Sequence, residues 1–281
     1  MQSGSDNIMA TTRHRLTSNV LIIFAILAIS LTALCPAHSA NAAEKKQPHT
    51  LINLADQELW KMNYPKADSI YTQLLRKSPD NPELYWKLAR LQISLGESIP
   101  SGKNDIRQQH YRKAEEYART SISLDSTNGK GHTWLAASIG MLAENTGTRE
   151  KLKHAAKIKR ELDIALQLNP NDETALSMLG SYYREAATIG WFRRMMGNAF
   201  IGEVPKGNYE LAEKAFRKAI SIDPGIIRNY HELALIYSKT DKLPEAITLM
   251  KTALNQPILI ESDRKRLEEM RKLLKQHSEE Q

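Results

Sequence analysis

Tyr209-Glu210-Leu211-Ala212-Glu213-Lys214-Ala215-Phe216-Arg217-Lys218-Ala219-Ile220-Ser221-Ile222-Asp223-Pro224 decides the fold of this chain. Ala212, Phe216 and Ala219 recur 34 positions later as Ala246, Met250 and Ala253. Ahead of each set runs a second helical pattern, Leu179, Gly180 and Tyr183 in one case and Leu233, Ala234 and Tyr237 in the other. Small residues at these positions let two helices cross closely, and the larger ones fill the space between neighbouring hairpins. The pattern predicts an all-α solenoid of helical hairpins.

Working outward, the same anchors locate about five hairpins. The first spans about Leu51 to Pro79, with Ala67, Tyr71 and Leu74 on its second helix and Tyr64-Pro65 at its turn, where proline fits a first helical turn. The next begins after Asn81-Pro82 with Tyr85, Leu88 and Ala89, followed by Ala114, Ala118 and Ser121. A third has Leu135, Ala136 and Ile139, then Ile158, Leu162 and Ala165, closing at Asn169-Pro170. A 34-residue helix–turn–helix unit with proline after the second helix is the tetratricopeptide signature. Residues 51–260 are assigned to this repeat domain, and 261–281 to a capping helix with a polar tail, in which Leu267, Met270, Leu273 and Leu274 keep helical spacing.

The N-terminus belongs to targeting rather than to the fold. Arg13 and Arg15 precede an apolar run from Val20 to Leu34, and Ala40-Asn41-Ala42 follows as an A-x-A site. Residues 1–43 are therefore expected to be a signal peptide or an N-terminal membrane anchor, with 44–50 a short linker. The expected location is periplasmic or otherwise exported, or inner-membrane anchored through residues 16–34. Cys35 would allow a lipidated N-terminus, although Leu34 before it is bulky for such a site. Loss of Arg13, Arg15 and Asp6 takes the net charge from +7 to +6 and removes the single cysteine. An excess of that size argues for no nucleic-acid partner.

Three hairpins are stretched. Ala234 to Ala246 is 12 positions, whereas Ala89 to Ala114 is 25, Ala136 to Ile158 is 22 and Gly180 to Ala212 is 32. These insertions fall at one structural place, either as loops along one edge or as lengthened helices. In the last of them Trp191, Phe192, Met195 and Met196 share one side of a short helix beside Arg193 and Arg194, a pattern that suits an anionic lipid, a membrane surface or a partner helix, or else folds into the core. Groove-facing positions by register are Trp86, Arg90, Ile93, Thr133, Ala137, Gly140, Ser177, Ser181, Arg184, His231, Leu235 and Ser238. That lining is mostly small or apolar, with Arg90 and Arg184 as isolated positive points. The candidate binding residues are Arg90, Arg184, Trp191, Phe192, Arg193 and Arg194, for an unidentified protein or peptide, or an amphiphile with one anionic end.

Catalysis finds no support. The histidines are scattered, and no H-x-x-x-H, cysteine pair, phosphate loop or nucleophile elbow occurs. Gly129-Lys130-Gly131-His132-Thr133 lacks the preceding spaced glycine of a phosphate loop and reads as a helix entry. No cofactor or metal is expected.

Beyond the repeat pattern lie more particular segments. These are Gly147-Thr148-Arg149-Glu150-Lys151-Leu152, Ile158-Lys159-Arg160-Glu161-Leu162, Leu166-Gln167-Leu168-Asn169-Pro170-Asn171-Asp172, Tyr183-Arg184-Glu185-Ala186-Ala187, Gly190-Trp191 and Phe200-Ile201-Gly202 with Pro205. Through them the stretch from Gly129 to Pro224 resembles the regulator of microtubule dynamics family. The resemblance implies an all-helical, non-enzymatic domain. Among animal relatives it implies association with microtubules and, for a membrane-anchored one, organelle tethering and phospholipid handling. Together with the N-terminal signal, it leads us to expect a bacterial-type exported member, for which microtubules would be out of reach.

Overall fold

The computed structural model describes residues 50–100, 102–144, 146–189 and 206–279. Its helices are α1 (residues 50–60), α2 (Tyr64–Lys77), α3 (Pro82–Ser98), α4 (Asn104–Leu124), α5 (Gly129–Ala143), α6 (Thr148–Leu168), α7 (Glu173–Ala187), α8 (Tyr209–Ile222), α9 (Ile227–Lys239), α10 (Leu243–Ala253) and α11 (Glu261–Glu279). Odd-numbered helices up to α9 are the first helices of five hairpins and form an inner layer. Even-numbered ones form the outer layer, and α11 continues the inner layer as a cap.

The joints between hairpins repeat a single chemistry. The amides of Ser78, Asp125, Asn169 and Asp223 close the preceding helices by donating to Leu74, Ser121, Ala165 and Ala219. Three residues later in the first three joints, Asn81, Asn128 and Asp172 cap the next helix with side-chain oxygens that accept from the amides of Glu83, Lys130 and Ala175. Such caps satisfy amides that the first helical turn leaves free, worth about 1 kcal/mol each. At the unstretched turns, Met62 and Asp241 adopt φ of 59° and 56°, the left-handed geometry that lets a hairpin reverse within a few residues.

Packing follows the predicted anchors. One cluster joins Ala89 and Ala118 to Leu135 and Ile139, and the next joins Ala136, Leu162 and Ala165 to Ala175, so each hairpin completes its core on its neighbour. The terminal cluster gathers Phe216, Leu233, Met250, Leu267 and Met270, all at most 3% exposed, and α11 thereby seals the last hairpin. The stretched second and third hairpins lengthen their helices. α4 and α6 run 21 residues each, whereas α8 has 14 and α10 has 11. The added turns of α3 and α4 have their own contact, in which Tyr111 lies on Gly96 so closely that a Cβ there would sit 2.4 Å from the ring. The third insertion falls mostly on residues 190–205, outside the described residues.

The inner layer also closes on itself, which the repeat spacing does not predict. Along the inner layer α3 touches α5, α5 touches α7, α7 touches α9 and α9 touches α11, and α11 in turn touches α3. Five inner helices therefore close into a ring.

A Cβ added at Gly180 would lie 2.8 Å from the ring of Phe216, which is fully buried, whereas one at Gly140 would meet only the Ile158 Cδ1 at 3.8 Å. Gly180→Ala should cost about 1–3 kcal/mol through overpacking. Gly140→Ala should be neutral or stabilise by up to about 1 kcal/mol through helix propensity. Urea midpoints of the two variants, compared at equal m-value, check this pair.

Candidate partner-binding face

The inner faces of α1 and α3 build a tight polar cluster. Asp56 accepts from Lys87 Nζ at 2.6 Å and from Tyr71 Oη at 2.6 Å, and it also pairs with Arg90 Nη2. Arg90 stands 34 positions after Asp56, so the two occupy one repeat position on adjacent inner helices. Desolvation pushes the Asp56 carboxyl up, but Arg90, Lys87 and Tyr71 together hold it below the usual carboxylate range. The Arg90 guanidinium lies near two indoles, 5.0 Å from the Trp60 ring centre and 5.7 Å from that of Trp86. Trp60 remains 40% exposed, so the stack presents an aromatic face to solvent.

Arg184 is also paired. Its Nε donates to Glu232 Oε2 at 2.6 Å across to α9, and its Nη2 to Glu185 Oε1 at 2.7 Å. The expectation of isolated positive points at Arg90 and Arg184 is thus corrected: each is matched by a carboxylate on the adjoining inner helix. Repeat stacking sets inner helices side by side, and a half-buried arginine is stable there only beside an anion. Arg228 on α9 donates from Nε to Ser177 Oγ at 3.1 Å and lies near the Glu97 carboxylate, which its charge favours.

Where α11 meets α3, ring closure brings charges together. Ser262 Oγ donates to Glu97 Oε1 at 3.4 Å, and Arg266 Nη1 donates to Ser262 Oγ at 2.8 Å and to Asp263 Oδ1 at 3.1 Å. Loss of water pushes the Glu97 carboxyl up, Arg266 and Arg228 oppose that, and Asp263 and Glu144 reinforce it. Burial among these groups also draws Arg266 down. Tyr64, 7% exposed, is pushed up to about 12 by burial and by Glu97, Glu261 and Asp263, and its buried hydroxyl has no hydrogen-bond partner. On α9, His231 Nε2 lies 3.1 Å from Glu269 Oε2 of α11, but neither ring nitrogen is aligned for a hydrogen bond.

Trp191, Phe192, Arg193 and Arg194 lie outside the described residues, as does the 16–34 segment. Among the described residues, no three His, Cys, Asp or Glu side chains gather to hold a metal ion, and no helix is long and apolar enough to cross a membrane. Most charges on this face are paired with a carboxylate on a neighbouring helix.

The family described as Regulator of microtubule dynamics protein 1-3 matches residues 51–278, every hairpin and the cap. The chain belongs to this family. It is 25% identical over 211 residues to Regulator of microtubule dynamics protein 1 of Mus musculus, covering 74% of this chain and 69% of that one. To protein 2 of Homo sapiens it is 26% identical over 200 residues, covering 70% of this chain and 48% of that one, so it spans about half of that relative. Among solved structures, a thermophilic TPR protein of Thermus thermophilus superposes with a TM-score of 0.55 at 20% identity, over 79% of this chain and 98% of that one. That likeness confirms the fold. As a member of the family, the chain is a tetratricopeptide-like scaffold. The expectation of a bacterial-type exported member is corrected by the same matches, because the related proteins are mammalian and the shared region is the helical domain. That expectation rested on an apolar run of 15 residues, Val20 to Leu34, and hydrophobicity of that length carries no mark of the cell it serves.

The Glu97 carboxyl binds its proton more readily in the folded chain than at its ordinary value of 4.5. Stability from this group is therefore full below that value and is lost as pH rises through the raised one. Glu97→Gln should melt above wild type at pH 7, and the difference should vanish well below pH 4.5. Thermal unfolding across that pH range measures it.

Proposed function

We propose that this chain binds a protein segment on the α1–α3 end of its inner layer. The observation that carries this reading is the Trp60–Arg90–Trp86 stack, with Trp60 40% exposed at its rim. Trp and Arg dominate the energetics of protein contacts because they bury large areas at small entropic cost, and truncating one at an interface centre commonly costs about 2 kcal/mol or more. Asp56 fixes Arg90 in place before any partner arrives, so little ordering remains to be done on binding. The names of the mammalian relatives attach them to microtubule dynamics, which favours a protein partner over a small molecule.

A photo-crosslinking residue at position 60 should capture discrete adducts in cells, and Trp86→Ala should abolish them. The same residue at exposed Lys157, on outer helix α6, should capture none. Identical adducts from both positions, or none from either, would remove the reading.

The setting proposed for this scaffold is a membrane surface, reached through residues 16–34. Support comes from the apolar run of Val20 to Leu34. Deleting residues 1–43 should move the chain from the membrane pellet to the supernatant, and a full chain that fractionates identically would exclude the proposal.

A further inference from the structure

The two layers of the repeat domain differ in charge. Outer helices α2, α4, α6, α8 and α10 carry 17 Lys and Arg against 10 Asp and Glu, a net of +7. Inner helices α1, α3, α5, α7 and α9 carry 6 against 7, a net of −1. The excess peaks on α6, with 6 Lys and Arg against 3 Asp and Glu. Its ion-paired lysines and arginines use carboxylates of α6 itself: Lys153 with Glu150, Lys159 with Asp163 and Arg160 with Glu161. The inner layer matches its arginines across helices, whereas among the described residues no neighbouring helix supplies an anion to those of α6. Arg149, Lys153, Lys157 and Arg160 stand at helical spacing and are all exposed, so they form one outward row.

Apolar exposure falls on the same layer. Six large apolar side chains are exposed among the described residues, and apart from Trp60 they sit on α4, α6 and α8. Ile106 and Leu211 lie in the first turns of α4 and α8, and Leu124, Leu168 and Ile222 end α4, α6 and α8, each between 39% and 44% exposed. Cations with aliphatic side chains at the margins suit the headgroup region of an anionic bilayer, where charge is attracted and short apolar groups enter the boundary. A nucleic acid would call for stacking aromatics along the row, and α6 has none.

We infer that the outer layer, centred on the α6 row, lies against an anionic lipid surface and turns the inner layer away from it. Each Lys or Arg near such a surface is worth about a fivefold gain in binding, so a few hold weakly in isolation. On a chain already tethered the same few decide which side lies down, because the surface is always at hand. The inference rests on the membrane setting proposed above and adds to it the face that makes contact.

The test uses the full chain with Cys35→Ser and a donor dye on Ala156→Cys, an exposed position within the α6 row. Vesicles of phosphatidylcholine, alone or with about 30% phosphatidylserine, carry an acceptor on their headgroups. Flotation reports the tether, and energy transfer reports the approach of α6. The chain should float with both vesicles, with transfer higher on the anionic ones and the rise lost in about 0.5 M salt. Replacing Arg149, Lys153, Lys157 and Arg160 together by Gln should lower the ratio of docked to undocked chain at least about tenfold. Replacing Arg264, Lys265, Arg271 and Lys272 of α11 by Gln removes the same charge and should leave that ratio unchanged. Equal transfer on both vesicles, or an equal loss in both variants, would overturn the inference, and flotation with neutral vesicles would then leave the tether standing. A chain that fails to float with neutral vesicles, yet shows the α6-dependent rise on anionic ones, would remove the tether and keep the docking face.

Discussion

Close approach of the two helices in each hairpin is the constraint on which this structure depends. A hairpin with a bulky residue at the crossing would hold its helices apart, and its outer aromatic would find no seat. Gly180 under Phe216 and Gly96 under Tyr111 show the requirement at its sharpest, since a single added carbon would overlap each ring. Ala89, Ala136 and Ala234 meet the same requirement in the other crossings, all at most 3% exposed. Once the helices are that close, each hairpin has one apolar side left over, and only another hairpin of the same kind can cover it. Stacking is thus a consequence of the crossing, and so is the continuous inner layer.

That inner layer explains why its charges come in pairs. Neighbouring inner helices set equivalent repeat positions next to one another, and a half-buried cation there is stable only when the next helix offers an anion. Asp56 with Arg90 and Glu232 with Arg184 are two solutions to this single problem. Lys130 does the same for the cap at Asp172, which is wholly buried on its side chain and also accepts from Thr133. Paired charges of this kind set geometry and register more than they add stability.

The repeats were legible in the sequence because the anchors are local, three or four positions apart within a helix, and because the last two outer helices repeat them at 34 positions. The same spacing assigns Arg90 and Arg184 to inner helices, where α3 and α7 carry them. Their partners were missed, although Asp56 sits one repeat length before Arg90 and could have been found by extending the register into α1. The two readings of the stretched second and third hairpins could not be separated by spacing, because helical periodicity continues through both. In the structure the lengthened helices hold, and the Tyr111–Gly96 contact supplies the reason. Ring closure lies beyond such reading. Ser262 and Glu97 are 165 positions apart, and their meeting depends on small rotations accumulated over every intervening hairpin.

Lengthening and closure are linked physically. In a solenoid of identical units, curvature is set by the ratio of inner to outer spacing, and the long helices of the second and third hairpins place their ends well past those of the shorter ones. Glu97 stands near the extended end of α3, just where the cap returns. The charges that meet there had no repeat neighbour to pair with, since the register that matches Asp56 to Arg90 does not relate α3 to α11. Unlike the paired interior, the seam therefore holds a crowded carboxylate, Glu97, shared between Arg266 and Arg228, and a buried hydroxyl without a partner. Stability in this fold comes from repetition, and the seam is the place where repetition ends.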